Sequence, residues 1–296
     1  MMEFINFYLI PGLALGSIYA LGAVGISMIF GILRFAHFAH GDVMTLGAYG
    51  TLAAVLGLGI HPLLALPFGV ALAIAVTLCV DKVFYKPLRA LPTIYTVISS
   101  FGVALMLRSA VEMLWGAGND VFIRGVQRPL ILFDTLRIAK LHIEAILFIV
   151  CVAIALHTFL TRTRTGRAMR AVSDNPELAA IVGLETEKVI RWTWIIGASL
   201  AAAGGVLAGL DSNINPTLGW NLLLPTFAAA ILGGIDKPMG ALLGGMVIGI
   251  VEELSSYTWI SDAPLIDPSY KTATAFIIMI ALLIFRPQGL LKGRLL

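Results

Sequence analysis

Three residues able to do chemistry stand close together: His37, His40 and Asp42, in the stretch RFAHFAHGD. Imidazoles and a carboxylate at this spacing can ligate a metal. No HExxH pattern accompanies them, and no second histidine or carboxylate cluster appears elsewhere, so no metal site is expected. The better match is a polar break between two apolar helices. There His37, His40 and Asp42 would line the inner end of a solute pathway, or Asp42 would cap the helix that follows. Arg108 and Glu112 lie four apart on one helix, a spacing that lets them pair along a face; a pathway role is the alternative. Glu252 and Glu253, beside Ser255, Ser256 and Tyr257, read as a solvated helix end, with contact to an external partner as the second reading. Cys79 and Cys151 fall inside apolar segments and read as isolated buried thiols.

The elements that must hold these groups are membrane helices. Hydrophobic residues make up 59% of the 296 residues and charged residues 12%, against about 25% charged in a soluble domain. Lipid is the solvent for most of such a surface. Net charge is +3, with the basic residues spread through loops rather than gathered in a run. That fits membrane orientation and argues against a nucleic-acid partner. The opening MMEF carries no basic stretch ahead of its apolar run, so that run is taken as the first span rather than a leader.

A span needs about 20 mostly apolar residues. Segments 4–33, 43 to about 57, 62–80, 90–115, 143–161, 192–210, 220–235, 238–259 and 268–285 qualify. The break between the second and third is set by Gly57, Gly59, His61 and Pro62; Asp267 and Pro268 suit the start of the last. The expectation is an all-α polytopic membrane protein of about eight or nine transmembrane helices, read as one transmembrane domain over residues 1–296. The second and seventh segments are Gly-rich and suit broken helices. A faint repeat links them: helix one, polar RFAHFAHGD, Gly-rich segment; then helix six, polar DSNINPTLGW, Gly-rich segment. Transporters often carry two such halves, and chance likeness between apolar segments is the alternative. Placing loop 161–191 in the cytoplasm puts most of the 20 basic residues inside, with the N-terminus out and the C-terminus in. Glycine pairs at GxxxG spacing (Gly12 and Gly16, Gly205 and Gly209, Gly245 and Gly249) suit close helix packing within the subunit, or a subunit interface.

Loop 161–191 contains a short capped helix. Asn175 is placed to cap it, Pro176 takes its first position, Glu177 suits the positive end of its dipole, and Gly183 can end it with a left-handed residue. Leu178, Ala179, Ala180, Ile181 and Val182 give it an apolar face. Such a helix is a docking element for another protein, or a connector lying on the membrane surface.

Here the residues reach a known family. GRAMRAVSDNPELAAIVGLETEKV with the following SLAAAGGVLAG, FAHFAHGDVMTLGAY, FAAAILGGIDKPMGALLGGMVIGIVEEL and the closing FRPQGLL together resemble branched-chain amino acid ABC transporter permeases of the LivH type, in order along essentially the whole chain. The resemblance implies a bacterial inner-membrane subunit that pairs with a second related permease. Two cytoplasmic ATPase subunits drive the pair, and an extracytoplasmic binding protein delivers a small substrate such as Leu, Ile or Val. It makes 161–191 the coupling loop, with Gly166, Arg170, Asn175, Pro176, Glu177, Leu178, Ala179 and Gly183 as the ATPase-coupling residues. The chain has no G-x-x-x-x-G-K-[ST] loop, so no cofactor is expected on it and ATP would be used by partner subunits. The rival reading is an ion-coupled secondary transporter of small amphiphilic solutes. It would need mid-membrane carboxylates, of which Glu112 is the clearest. A membrane enzyme is disfavoured for want of a catalytic set.

Overall fold

The computed structural model describes residues 4–123, 125, 129–132, 136–258, 266–267, 270–285 and 289–291. Arg286, Pro287 and Gln288 of the closing motif, Pro268 and Trp259 lie outside them. Helix α1 (Ile10–Leu33) continues a π-helical turn at Ile5–Leu9. Then come α2 (His40–Leu58), α3 (Pro62–Val80, prolonged by helical turns to Leu88) and α4 (Thr93–Trp115). A small antiparallel pair, β1 (Leu130–Leu132) and β2 (Leu136–Ile138), precedes α5 (Lys140–Arg162). The loop helices α6 (Arg164–Asp174) and α7 (Pro176–Ile181) lead to α8 (Thr186–Asp211), α9 (Leu218–Gly233), α10 (Pro238–Ser255) and α11 (Ala273–Phe285). Among the described residues seven helices are long and apolar enough to cross a membrane, and α9 and α11 are shorter apolar helices. Each of the nine answers to one of the nine expected segments. The α2–α3 break falls where punctuation placed it: Gly59 closes α2 at φ +65°, and His61 caps α3 by accepting from the Leu63 N–H ahead of Pro62.

Helices α1, α8 and α2 form the centre, while α3, α4 and α5 leave most of their surface outward. With water absent from the surroundings, close van der Waals fit holds such helices together. All three GxxxG pairs serve contacts inside this subunit. A Cβ on Gly249 would meet the Gly16 nitrogen at 2.2 Å, and one on Gly245 the Ala20 backbone at 2.4 Å, so α1 and α10 run backbone to backbone. Gly205 sits 2.0 Å, by the same construction, from the Met44 carbonyl, and Gly209 lies against Ile214 and Phe122. Cys79 and Cys151, expected to be buried, are exposed on the outer faces of α3 and α5, because those helices turn only a narrow stripe inward.

The two halves correspond. In each, a long central helix (α1, α8) is followed by a polar segment, a continuous helix that starts inside the bundle (α2, α9) and a further span (α3, α10), and the helix that starts inside also packs on α4 or α11. The interruption expected within these two segments is absent, and the irregular chain precedes each helix instead. The central helices run antiparallel, with Gly25 beside Gly197 and Leu21 beside Gly204. The polar segments do not stay at the bundle ends. The His40 ring meets Gly25 of α1, eight residues before that helix ends, or about 12 Å back into the bundle. Chain 34–39 therefore turns inward and α2 starts at mid-depth. Residues 212–217 do the same from the other side, where Ile214 exchanges two 2.8 Å backbone hydrogen bonds with Asp120. The end of α9 is closed by the chain terminus: Leu290 and Leu291 N–H groups donate to the Leu232 and Gly233 carbonyls. That satisfies carbonyls a helix end leaves open, and it is a role for the closing GLL that the sequence did not disclose.

Candidate functional sites: a mid-bundle polar junction and a capped coupling arm

The starts of α2 and α9 meet at mid-depth. Gly41 and Gly219 touch so closely that a Cβ on Gly219 would fall 1.8 Å from the Gly41 carbonyl oxygen. The Thr45 hydroxyl accepts from the Gly219 N–H at 2.9 Å and donates to the Gly41 carbonyl at 3.4 Å. One of the N–H groups that every helix start leaves unpaired is thereby satisfied across the junction. Asp42, in the first turn of α2, is 1% exposed. Its side chain is held by Arg108 of α4, Nε to Oδ1 at 3.0 Å and Nη2 to Oδ2 at 3.4 Å. The Arg108 guanidinium lies 4.7 Å from the centre of the Trp220 ring on α9. A cation over an aromatic face at this distance adds about 0.5–2 kcal/mol. One ion pair thus ties α2 to α4, and its cation rests on α9.

Two expectations are corrected here. Arg108 pairs with Asp42 and not with Glu112, which is exposed on α4; the carboxylate enclosed in the bundle is the stronger partner. Asp42, in the first turn of α2, is accordingly an ion-pair member and not the N-cap, a position that falls to Ala39.

His37 and His40 are 2% and 1% exposed. His37 Nε2 lies 3.0 Å from the Tyr85 hydroxyl, and its ring stands edge-on to Trp194 at 5.0 Å. Tyr85 stacks on Trp194 at 5.4 Å, with Phe35 beside both. The turn 34–39 is thus pinned in an aromatic cage from α3 and α8, each pair contributing about 0.5–1.5 kcal/mol beyond simple burial. Among the described residues no group of three His, Cys, Asp or Glu side chains is placed to hold a metal. Glu252, expected at a solvated helix end, is instead 1% exposed. Tyr19 and Thr272 donate to its two oxygens at 3.0 and 2.8 Å, because the α1–α10 glycine contact draws that turn against α1.

At the loop 161–191 end the local signals hold. Thr163 caps α6 by accepting from the Gly166 N–H at 2.9 Å, and Asn175 caps α7 by accepting from the Leu178 N–H at 3.0 Å. Pro176 opens α7. Gly183, at φ +83°, ends it: the Leu184 N–H reaches the Ala179 carbonyl and the Gly183 N–H the Ala180 carbonyl, the paired bonds of a Schellman closure. Gly166 is packing, since a Cβ there would fall 2.2 Å from the Phe159 carbonyl of α5. Met169, Val172 and Ala179 turn inward, whereas Arg170, Glu177 and Gly183 are exposed. Leu178, Ile181 and Val182 are 56%, 80% and 68% exposed. The start of α8 is fastened to the end of the third span by Glu187, which accepts from Lys86 at 3.0 Å and Arg89 at 2.8 Å. Arg89 also holds Asp81 at 2.7 Å. The structure places His37, His40 and Asp42 at the junction inside the bundle and Gly166, Arg170, Asn175, Pro176, Glu177, Leu178, Ala179 and Gly183 on or flanking α6 and α7 at one end, as two separate sites.

Compared with known proteins, residues 8–284 match the family model described as the permease component of branched-chain amino acid transport systems. The chain is 33% identical to the high-affinity branched-chain amino acid transport system permease protein BraD of Pseudomonas aeruginosa, over 96% of this chain and 94% of that protein. It is 33% identical to the permease protein LivH of Escherichia coli K12, over 95% and 93%. It is 30% identical to a LivH-type protein of Methanocaldococcus jannaschii, over 90% and 86%. Among solved structures, PsaBC from Streptococcus pneumoniae aligns at TM-score 0.51 with 12% identity, over 97% of this chain and 95% of that one. A metal-chelate type ABC transporter in an inward-facing conformation aligns at 0.54 with 16% identity, over 96% and 88%. At those identities the likeness is one of fold.

Proposed function

We propose, from the premise that this chain belongs to the permease family of branched-chain amino acid transport systems, that it is the membrane-spanning subunit of an ABC importer carrying Leu, Ile and Val across a bacterial inner membrane. It is a permease and not an enzyme. Two cytoplasmic ATPase subunits supply the energy, a second related permease completes the pathway, and an extracytoplasmic binding protein delivers the amino acid. The chain itself holds no cofactor, and ATP is used by the partners. Residues 1–296 act as one permease domain whose loop 161–191 is the coupling arm.

The observation that carries this reading is the exposed apolar face of α7 on a doubly capped mount. Leu178, Ile181 and Val182 stand in the open at the end of the bundle, and burying such side chains in a partner is worth about 1.5–3 kcal/mol each. Ala179 anchors the other side of the helix. A short helix fixed at both ends transmits a displacement, whereas a flexible linker absorbs it. The Glu187 ion pairs carry that displacement to α3 and α8. At mid-bundle, His37, His40 and Asp42 set the hinge where the starts of α2 and α9 meet, and Arg108 and Trp220 present that junction to the pathway. Arg108 neutralises Asp42, so the carboxylate is not offered to a coupling ion, which weighs against the secondary-transporter reading.

The test is the reconstituted complex. With loaded binding protein, ATP hydrolysis should rise and leucine should enter the vesicle. Leu178→Cys should crosslink to a cysteine in the ATPase, and Glu177→Lys should abolish the stimulation while the permease still inserts. Full stimulation in Glu177→Lys together with no crosslink would refute the docking role.

A further inference from the structure

A cavity of about 550 Å³ lies behind the coupling arm, within the roughly 300–1,000 Å³ range of small-molecule sites. Its walls come from the last turns of α1 and α5, the face of α6 that carries Met169, Arg170, Ser173 and Asp174, the turn joining α9 to α10, and Leu291. That turn, GGIDKPMG, has no part in the function described so far. The lining combines two kinds of group. Met28, Ile32, Leu160 and Met169 make an apolar wall. Arg170 and Lys237 face it with positive charge, Asp174 and Asp236 with negative charge. Asp236 is 8% exposed and lies 3.6 Å from the Lys237 ammonium. Ser27 also lines the cavity. It is fully buried, and its hydroxyl has no protein partner, an arrangement that costs stability unless a ligand group completes it.

We propose that this cavity is a second amino-acid site, on the cytoplasmic side, through which accumulated product restrains the pump. The lining selects the ligand class. A balanced pair of cations and acids suits a zwitterion better than an anion, whose charge Asp174 and Asp236 would repel. A free aliphatic amino acid offers its carboxylate to Arg170 and Lys237, its ammonium to Asp174 and Asp236, and its side chain to the methionine and isoleucine wall. Ser27 supplies a further hydrogen bond at the floor. The consequence follows from where the walls belong. Arg170 and Asp174 ride on α6, which runs through Asn175 directly into α7; Ser27 belongs to α1, and Lys237 to the turn that joins α9 to α10. A ligand touching both sides ties the arm to the core in one relative position. It therefore favours that state by its difference in affinity between the two arrangements.

The inference rests on the importer reading, and the experiment separates the two. The complex is placed in nanodiscs with binding protein already saturated by leucine, and further free leucine is added. Stimulated ATP hydrolysis without the addition, and uptake in vesicles, test the importer reading alone. The added leucine should lower the stimulated rate. Lys237→Gln should raise the half-inhibitory concentration roughly tenfold by removing one charge-assisted bond. Met239→Trp, which fills the cavity from the turn, should remove the inhibition. Both should keep the uninhibited rate. Radiolabelled leucine should bind the wild-type complex without binding protein and fail to bind Met239→Trp. Intact stimulation with no inhibition by leucine would overturn the site, as would equal inhibition in wild type and both variants. Loss of co-purifying phosphatidylethanolamine in Met239→Trp, with leucine binding unchanged, would also overturn it and assign the cavity to a lipid.

Discussion

Arg108→Gln and Asp42→Asn, made singly and together, test the mid-bundle junction. The Asp42 side chain is 1% exposed and that of Arg108 16%, so the carboxylate is enclosed by protein while the guanidinium keeps an open edge. Removing the arginine strands a buried carboxylate, a loss of about 3–5 kcal/mol. Removing the aspartate's charge leaves an arginine that still has Trp220 beneath it and is less enclosed than the carboxylate. That single change costs less, about 1–3 kcal/mol. The double variant leaves two neutral amides of similar shape and strands no charge, so it should recover much of the loss, with an interaction energy on the order of 2 kcal/mol or more. The assay is the half-life of the folded permease in detergent at one elevated temperature, followed by size exclusion, because unfolding of such proteins is read as a rate. Arg108→Gln should be the shortest-lived, Asp42→Asn intermediate, and the double variant nearer wild type than Arg108→Gln. A double variant that shows the sum of the two single losses would refute the pairing. Restoration by Arg108→Gln with Glu112→Gln, and none with Asp42→Asn, would return the pair to the helix-local arrangement.

Gly249→Leu should abolish the folded subunit, since its Cβ would fall 2.2 Å from the Gly16 nitrogen, whereas Gly102→Leu, with nothing within 4 Å, should leave the yield of the isolated subunit unchanged. Gly183→Val should cost about 1–2 kcal/mol locally at φ +83° and slow the Leu178→Cys crosslink without changing insertion; an unchanged crosslinking rate would show that the closure of α7 does not set its pose. A reporter fused after Leu296 should read as cytoplasmic, because most of the 20 basic residues then face inward; a periplasmic readout would reverse the orientation of loop 161–191 with it.

What the sequence by itself determined were properties that depend on near neighbours or on bulk composition. Apolar length divided the chain into nine helical segments, because a backbone in lipid must satisfy its own hydrogen bonds over each crossing. Asn175, Pro176 and Gly183 placed α7 to within one residue, because caps act across three or four positions of the same chain. Gly59 and Pro62 marked the α2–α3 turn for the same reason. The tertiary structure decided what depends on which helix faces cross. Glu112 was the nearer partner for Arg108 along the chain, yet Asp42, 66 positions away, takes it, because α2 starts at mid-depth beside α4. Glu252 looked like a helix end in water until the glycines of α1 and α10 brought Tyr19 over it. The cavity behind α6 joins groups from five parts of the chain whose spacing in sequence carries no trace of their meeting. Charge pairing and cavity shape are set at distances of a few ångströms between elements, and local propensity does not encode those distances.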